Sequence, residues 1–232
     1  PRFVPSCTSA LMTGLAKLAK EYDVPVQSHL SENHGEIDWV ASLHPESSNY
    51  TDVYYEHHLM GTVPTVMAHC IHLNDVEMDR MAETQTMVSH CPYSNVNLSS
   101  GIAPIRKLIE RNIPIGLGSD ISGGHIVSMA KVLTEAIGLS KMKWAEVDPN
   151  YAPLTLSEAF YMATKGGGQF FGHVGSFEKG YELDALIIDD TSLFDPNERS
   201  LEERLERWLY VGDDRHIIER YVAGRVVPSP KG

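Results

Sequence analysis

Apolar residues along this chain follow two spacings, one typical of buried strands and one typical of helices. Short, nearly continuous apolar runs that end on a polar residue predict strands at 24–29, 64–70, 86–90 and 113–120. Between them, helical apolar spacing predicts helices at 6–22, 36–43, 51–59, 74–83, 102–111 and after residue 125. This alternation predicts an α/β fold in which helices cover a parallel sheet.

The repeated strand–helix units indicate a TIM-like (β/α)8 barrel, of which only about half of the strands can be counted. In the first helix, the stripe formed by Leu11, Leu15, Leu18 and Tyr22 predicts the side that packs on the sheet. In the helix after residue 125, Met129 is predicted to point inward. The chain opens on PRFVPSC without a methionine, so we expect that only the later half of the barrel is present.

The pattern changes after residues 149–153. Thr155 and Glu158 have capping-box spacing and predict a further helix, and the glycine-rich KGGGQFFG after it is expected to end that helix and pack tightly. Beyond residue 180, the runs ELDALIID and RYVAGRVV predict strands, the second with a hairpin turn at Ala223-Gly224, and a helix is predicted at 201–208. We therefore predict a partial barrel over 1–179 and part of a small β-rich subdomain over 180–232.

Composition narrows the class of protein. The chain has 232 residues, of which 42% are apolar and 22% charged, enough for a sizeable core and unlike a disordered chain. Its formal net charge of -12 disfavours nucleic acid and anionic membranes as partners. No run of 18 apolar residues and no signal-peptide pattern occurs, and the three cysteines lack metal-clip spacing. We therefore expect a cytoplasmic protein.

Polar residues close all four predicted barrel strands, namely His29, His69, His90 and Asp120. The carboxyl ends of barrel strands meet at one mouth, where active sites lie. Imidazole and carboxylate together suit Zn²⁺ or Fe²⁺ better than Ca²⁺ or Mg²⁺. A single strand-end histidine is more often a hydrogen-bonded core residue, but four such residues on consecutive strands favour a metal site.

Glu32 follows His29 by three residues and lies at the same predicted rim. Hydrolysis at a metal needs a nearby acid that protonates the atom accepting electrons, and Glu32 can reach a substrate held over the metal. The alternative is that Glu32 only favours the first turn of the following helix. Its neighbour His29 favours the catalytic interpretation.

The segments SHLSE, MAHC, SHCPYSN and GLGSD, in this order, resemble the later half of amidohydrolase-superfamily deaminases. PRF, QSHLSEN, HCPYSNVNLSSG, GLGSDISGG, ATKGGGQFFG and YVGDDRHI narrow the resemblance to the guanine deaminase family, over essentially the whole chain. This resemblance implies hydrolysis of guanine to xanthine and ammonia at a mononuclear zinc site, with Fe²⁺ as the alternative metal. It also implies a small purine base as partner, no nucleic acid, no membrane, and a homodimer.

The resemblance implies roles residue by residue. His29 and Asp120 would ligate the metal, and both would face the substrate. His69 would hold and polarise the attacking hydroxide, whose proton Asp120 would take. Glu32 would carry a proton to the purine ring nitrogen and then to the leaving amine. The Arg2 guanidinium would donate to the purine carbonyl, and the Phe3 ring would pack on the purine face. His90 would support the site from behind.

The chain departs from the family pattern in two respects. The first barrel strand of the superfamily carries an H-x-H pair of metal ligands, and this sequence contains no H-x-H; His57 and His58 are adjacent instead. A glutamine that would follow that pair and help to bind guanine is also absent. The chain as given therefore lacks two expected ligands, and its activity alone is doubtful.

Two other functions fit the same residues. One is a related amidohydrolase, either a deaminase or a chlorohydrolase, that acts on another purine, a pterin or a triazine. The other is an inactive fragment with a binding or scaffold role, which the missing ligands favour. Glu32 and Asp120 argue against a scaffold, because a scaffold has no need of carboxylates in a cavity.

Overall fold

Four parallel strands form the main sheet, in chain order: β1 (Val26–Leu30), β2 (Thr65–His69), β3 (Met87–His90) and β4 (Ile115–Leu117). The computed structural model describes residues 1–193 and 195–228. The pairing is in register, with Leu30 opposite His69 and His90 opposite Leu117. Because parallel pairing aligns the carboxyl ends, all four strands finish at one edge of the sheet. The prediction of an α/β fold with a parallel sheet is confirmed.

Helices connect the strands and cover the sheet, as the alternating pattern predicts. The helices of this part are α1 (Ser9–Tyr22), α2 (His34–Leu43), α3 (Tyr50–Glu56), α4 (Asp75–Glu83), α5 (Pro92–Asn97), α6 (Ile105–Glu110), α7 (Met129–Glu146), α8 (Leu156–Ala163) and α9 (Lys165–Gly168). Asn74 and Glu77 form a capping box at the start of α4, and Thr155 and Glu158 form one at α8. These local signals place helix starts within a residue or two of the predictions.

The predicted buried face of α1 is wrong. Met12, Ala16 and Ala19 are the buried residues of this helix, whereas Leu11 and Tyr22 are 47% and 66% exposed. The packed face is therefore rotated by one residue from the stripe of large side chains. Two of the three buried residues are alanines, so the size of the apolar side chains alone does not predict this face. Leu18 is exposed in the same way.

In α7, Met129 is 37% exposed and not inward as predicted, because it is the first residue of the helix, before the packed turns begin. The side of this helix that packs in the core is formed by the buried residues Val132, Leu133, Ala136 and Ile137. The glycine-rich stretch forms α9 and packs tightly. A Cβ on Gly116 in β4 would lie 3.0 Å from the Cα of Gly167, so neither glycine has room for a side chain.

The C-terminal part forms a separate three-stranded sheet of β5 (Ala185–Ile188), β6 (Ile217–Val222) and β7 (Arg225–Val226), with α10 (Leu201–Val211) between β5 and β6. The predicted hairpin is present: Ala223 and Gly224 have φ of 48° and 74° and join antiparallel β6 and β7. Trp208 and Leu209 of α10 belong to the same buried cluster as the main sheet. The boundary between residues 179 and 180 stays a prediction. In the described ranges, no helix combines the length and apolar character needed to cross a bilayer.

An ion pair ties α6 to α8. Arg106 donates from Nη1 and Nη2 to the two carboxylate oxygens of Glu158, at 2.6 and 2.9 Å. These bonds lower the pKa of Glu158 to about 2. Because the pKa is depressed in the folded state, the stabilisation is present above the ordinary carboxyl pKa and is lost as pH falls towards 2.

We expect Glu158→Gln to lower the free energy of unfolding by about 1 kcal/mol at pH 7. The difference from the unchanged protein should shrink as pH falls from about 4.5 to about 2. Denaturant unfolding of the complete gene product across this range measures it. Exposed Glu202 provides the control, since Glu202→Gln should change stability by less than about 0.5 kcal/mol at every pH. A constant effect of Glu158→Gln across the range would contradict the prediction.

Candidate active site

Three of the four strand-end residues lie together with Glu32. The Nε2 atom of His69 is 3.6 Å from Oε2 of Glu32 and 3.9 Å from Oδ2 of Asp120. The His29 and His69 ring centroids are 5.2 Å apart. β1, β2 and the loop after β4 therefore bring two imidazoles and two carboxylates to one place.

Two of these side chains, those of His29 and Asp120, border an open cleft of about 440 Å³. The cleft is lined by His29 and Asp120 together with residues of all four strands, including Ala68, Ser89 and Gly118. The side chains of Glu32 and Asp120 are 18% and 29% exposed. Both carboxylates are therefore shielded from bulk water but remain reachable.

The imidazole of His29 is fixed by a backbone carbonyl. His29 Nδ1 is 2.8 Å from the carbonyl oxygen of Arg2, so Nδ1–H donates and the Nε2 lone pair stays free. Burial lowers the pKa of His29, the bond to the Arg2 carbonyl opposes this, and His69 lowers it further. The ring is therefore held neutral, the form that binds a metal.

A second group of buried polar residues supports this end of β1. The hydroxyl of Ser28 donates to the Arg2 carbonyl at 2.9 Å and lies 2.7 Å from the hydroxyl of Tyr54. Tyr54 donates to the carbonyl of His29 at 2.8 Å. Burial raises the pKa of Tyr54, so its hydroxyl stays protonated and can donate. The sequence analysis missed Ser28 and Tyr54, because neither lies in a strand-end position.

The backbone of Glu32 is held by Glu36, whose Oε2 accepts from the Glu32 N–H at 3.1 Å. Tyr50 donates to the other oxygen of Glu36 at 2.6 Å. Glu36 is buried, so both oxygens are satisfied by protein donors. Glu36 lies three residues after Asn33, the N-cap of α2, and this capping-box spacing could have suggested it.

His90 differs from His29 and Asp120 because it does not line the cleft. It is fully buried, and its Nδ1 has no hydrogen-bond partner among the described residues. Its neighbours Ser89 and Cys91 line the cleft, whereas His90 does not. Burial lowers the pKa of His90 to about 3, so the ring is neutral. Of the four predicted strand-end residues, His29 and Asp120 line the cleft, and His69 reaches the site through its 3.9 Å approach to Asp120.

The backbone is strained where the strands end. Ser31, His69, Cys70 and Asp120 have φ of 49°, 71°, 51° and 42°, a region that non-glycine residues rarely adopt. Such conformations cost on the order of 1 kcal/mol each and persist only where the surrounding structure enforces them. Strain at three strand ends around one cleft is typical of a functional site.

Arg2 and Phe3 lie near the carboxyl end of β1, where the Arg2 carbonyl accepts from the His29 N–H. The Arg2 side chain is exposed, its guanidinium carbon lies 5.8 Å from the Phe3 ring centre, and Phe3 meets Trp39 edge-on at 6.4 Å. Only the Arg2 backbone contacts His29 directly. The substrate roles of the two side chains stay predictions.

The donor atoms at the cleft have the chemistry of a divalent-metal site. A histidine that donates Nδ1–H to a carbonyl and leaves Nε2 free is the usual state of a metal ligand, and Asp120 adds an oxygen donor. Within 1–193 and 195–228, however, no three His, Cys, Asp or Glu side chains form a group that could hold a metal. Catalytic zinc sites usually have about three protein ligands, so the described residues provide part of a ligand set.

Comparison with known proteins places this site in a family. The Amidohydrolase family model matches residues 1–227. A guanine deaminase of Dictyostelium discoideum is 43% identical over 98% of this chain and 52% of its own length. The chain thus spans about half the length of the curated relatives it matches.

Solved structures agree. A guanine deaminase from C. acetobutylicum, crystallised with guanine in its active site, is 53% identical and superposes with a TM-score of 0.95 over 98% of this chain and 54% of that one. A zinc-bound adenosine deaminase from Xanthomonas campestris, 23% identical, shares the fold with a TM-score of 0.81 over 94% of this chain and 48% of its own. The barrel mouth, the strand-end residues and the family match agree, and the chain belongs to the amidohydrolase family.

Proposed function

We propose that the complete gene product hydrolyses guanine to xanthine and ammonia. The observation that carries this proposal is the overlap of the chain, at 53% identity, with a guanine deaminase that holds guanine in its active site. The grouping of Glu32, His69 and Asp120 at the cleft supports it, since hydrolytic deamination needs proton donors and acceptors at one place.

We propose that His29 and Asp120 ligate a divalent cation, zinc in preference to Fe²⁺. Nitrogen and oxygen donors in this combination suit both metals. A bound cation would lower the pKa of a coordinated water and supply a nucleophile near neutral pH. A complete ligand set requires further donor atoms besides those of His29 and Asp120.

The chain's own residues handle the protons. Asp120 and His69, 3.9 Å apart, are placed to orient the attacking water, and Asp120 accepts its proton. Glu32 gives a proton to the purine ring nitrogen as the carbon–oxygen bond forms. It then takes the remaining proton of the new hydroxyl group and passes it to the amine as the carbon–nitrogen bond breaks and the carbonyl forms. The proton held by Asp120 finally returns to Glu32 and restores the starting state. Glu32 is suited to both steps because its carboxylate lies 3.6 Å from Nε2 of His69 and is 18% exposed.

Arg2 and Phe3 are proposed to select the purine, the guanidinium by donating to the carbonyl and the ring by packing on the base. The His29 anchor uses the Arg2 carbonyl, so the Arg2 side chain is free for substrate.

We also propose a cytoplasmic homodimer with no nucleic-acid or membrane partner. The net charge of -12 opposes binding to phosphate-rich surfaces, and the three cysteines are free thiols, as in a reducing compartment.

We expect Glu32→Gln to lower kcat for guanine by about 100-fold to 10,000-fold, because the amide cannot carry the proton. Metal content should be unchanged, since Glu32 is not proposed as a ligand. Ammonia release and loss of guanine absorbance by the complete gene product measure the rate. Glu21→Gln, at an exposed position of α1, is the matched control. Near-normal turnover by Glu32→Gln would refute the proton-carrying role, and a zinc-replete unchanged protein without turnover would refute the function itself.

Arg2→Ala should lower kcat/KM for guanine by about 10-fold to 100-fold, the effect of losing a charged hydrogen bond to the substrate. Metal content should not change, because the backbone carbonyl that holds His29 is retained. Arg2→Lys keeps the charge but loses the planar fork and should recover only part of the activity. Unaltered guanine kinetics in Arg2→Ala would reject guanine recognition by this side chain.

His29→Ala should weaken metal binding by at least about tenfold, since it removes a proposed ligand. Elemental analysis of the purified complete gene product gives metal content and separates zinc from iron. His125→Ala, which alters an exposed histidine on the loop after Asp120, should retain full metal. Full occupancy in His29→Ala would show that His29 has only a structural role.

A further inference from the structure

Residues 91–101, here called the 91–101 segment, contact both groups proposed to handle protons. The segment comprises α5 and the turn that follows it. Asn95 is fully buried, and its Oδ1 lies 3.0 Å from Nδ1 of His69. In this orientation of the Asn95 amide the oxygen accepts from Nδ1–H of His69, while Asn95 Nδ2 has no hydrogen-bond partner among the described residues. The Nε2 lone pair then faces the cleft carboxylates, Glu32 and Asp120.

Ser100, at the other end of the segment, contacts the carboxylate of Glu32. Its hydroxyl donates to Oε1 of Glu32 at 3.0 Å, while Oε2 is the oxygen that faces His69. A glutamate side chain has several rotamers, and this bond favours the rotamer in which Oε2 faces His69.

The segment is itself fixed at Ser100. The Ser100 N–H donates to the Asn95 carbonyl at 2.8 Å, and the Ser100 carbonyl is 2.8 Å from Nε2 of His72. Gly101 follows with φ of 130°, and a Cβ there would lie 3.2 Å from the His72 ring. Only glycine suits this close approach, so the turn that presents Ser100 is determined by its neighbours.

We propose that Asn95 and Ser100 are positioning residues for deamination: Asn95 sets the tautomer of His69, and Ser100 sets the rotamer of Glu32. The proposal rests on the proposed function, in which these two side chains act on water and substrate. Asn95 and Ser100 are both buried, so each acts through the residue that it contacts.

The tautomer of His69 can be read without any turnover. In the ¹⁵N-labelled complete gene product, histidine ring spectra should show a proton on Nδ1 of His69. An inverted Asn95 amide would instead donate to Nδ1, and the absence of a proton on Nδ1 in the unchanged protein would overturn the Asn95 assignment. Asn95→Leu should lose the Nδ1–H signal, and Asn95→Asp, which keeps an acceptor oxygen, should retain it.

The role of Ser100 is tested by kinetics. Ser100→Ala should lower kcat by about 10-fold to 100-fold with little change in KM, because substrate contacts are intact while proton transfer is misaligned. Ser100→Thr keeps the hydroxyl and should recover most of the rate. Ser99→Ala, at the exposed neighbouring position, is the control. Equal kcat in Ser100→Ala and the unchanged protein, or no recovery in Ser100→Thr, would overturn the Ser100 assignment.

The two measurements separate this proposal from the proposed function. If the unchanged protein fails to release ammonia from guanine, the function fails, while the His69 spectra still decide the Asn95 assignment. If guanine turns over normally and the variants behave as the unchanged protein does, the positioning roles alone fail.

Discussion

Parallel pairing of β1 to β4 in chain order is the constraint on which the rest of the structure depends. Parallel neighbours must be joined by crossovers, here helices, so every strand starts at one edge of the sheet and ends at the other. Residues far apart in sequence therefore meet at the carboxyl ends. His29, His69 and Asp120 come together for this reason and not through any local signal.

Pairing brings the side chains near one another, but buried polar bonds decide how they point. The Arg2 carbonyl accepts from Ser28 Oγ, His29 N and His29 Nδ1, so one backbone atom fixes both the strand tip and the imidazole tautomer. Buried donors and acceptors without partners are costly, and such a network therefore tolerates few alternative arrangements. This rigidity is what a site for proton transfer requires, because small displacements of a donor reduce rates strongly.

The backbone near the strand ends is also held in a defined conformation, because several residues there have left-handed φ values. Ser31, His69 and Asp120 occupy conformations that glycine would adopt more easily, and the side chains of His69 and Asp120 belong to the candidate site. The fold thus places strain where functional side chains leave the sheet, and the packed helices and paired strands hold it there. Gly116 and Gly167 show the complementary case, in which close backbone packing leaves no room for a side chain.

Much of the fold follows from local sequence. Strand positions, the capping boxes at Asn74 and Thr155 and the Ala223-Gly224 turn depend on a few adjacent residues, so the sequence alone determined them. It also indicated the polar residues near the strand ends, because a polar residue after an apolar run is visible in the sequence. His69 and His90 end β2 and β3 as predicted, whereas β1 ends on Leu30, one residue after His29, and β4 ends on Leu117, three residues before Asp120. The buried face of α1, the burial of His90, and the contacts of Asn95 and Ser100 were decided only by tertiary structure. Each depends on which neighbour lies within a few ångströms, and that neighbour comes from a distant part of the chain.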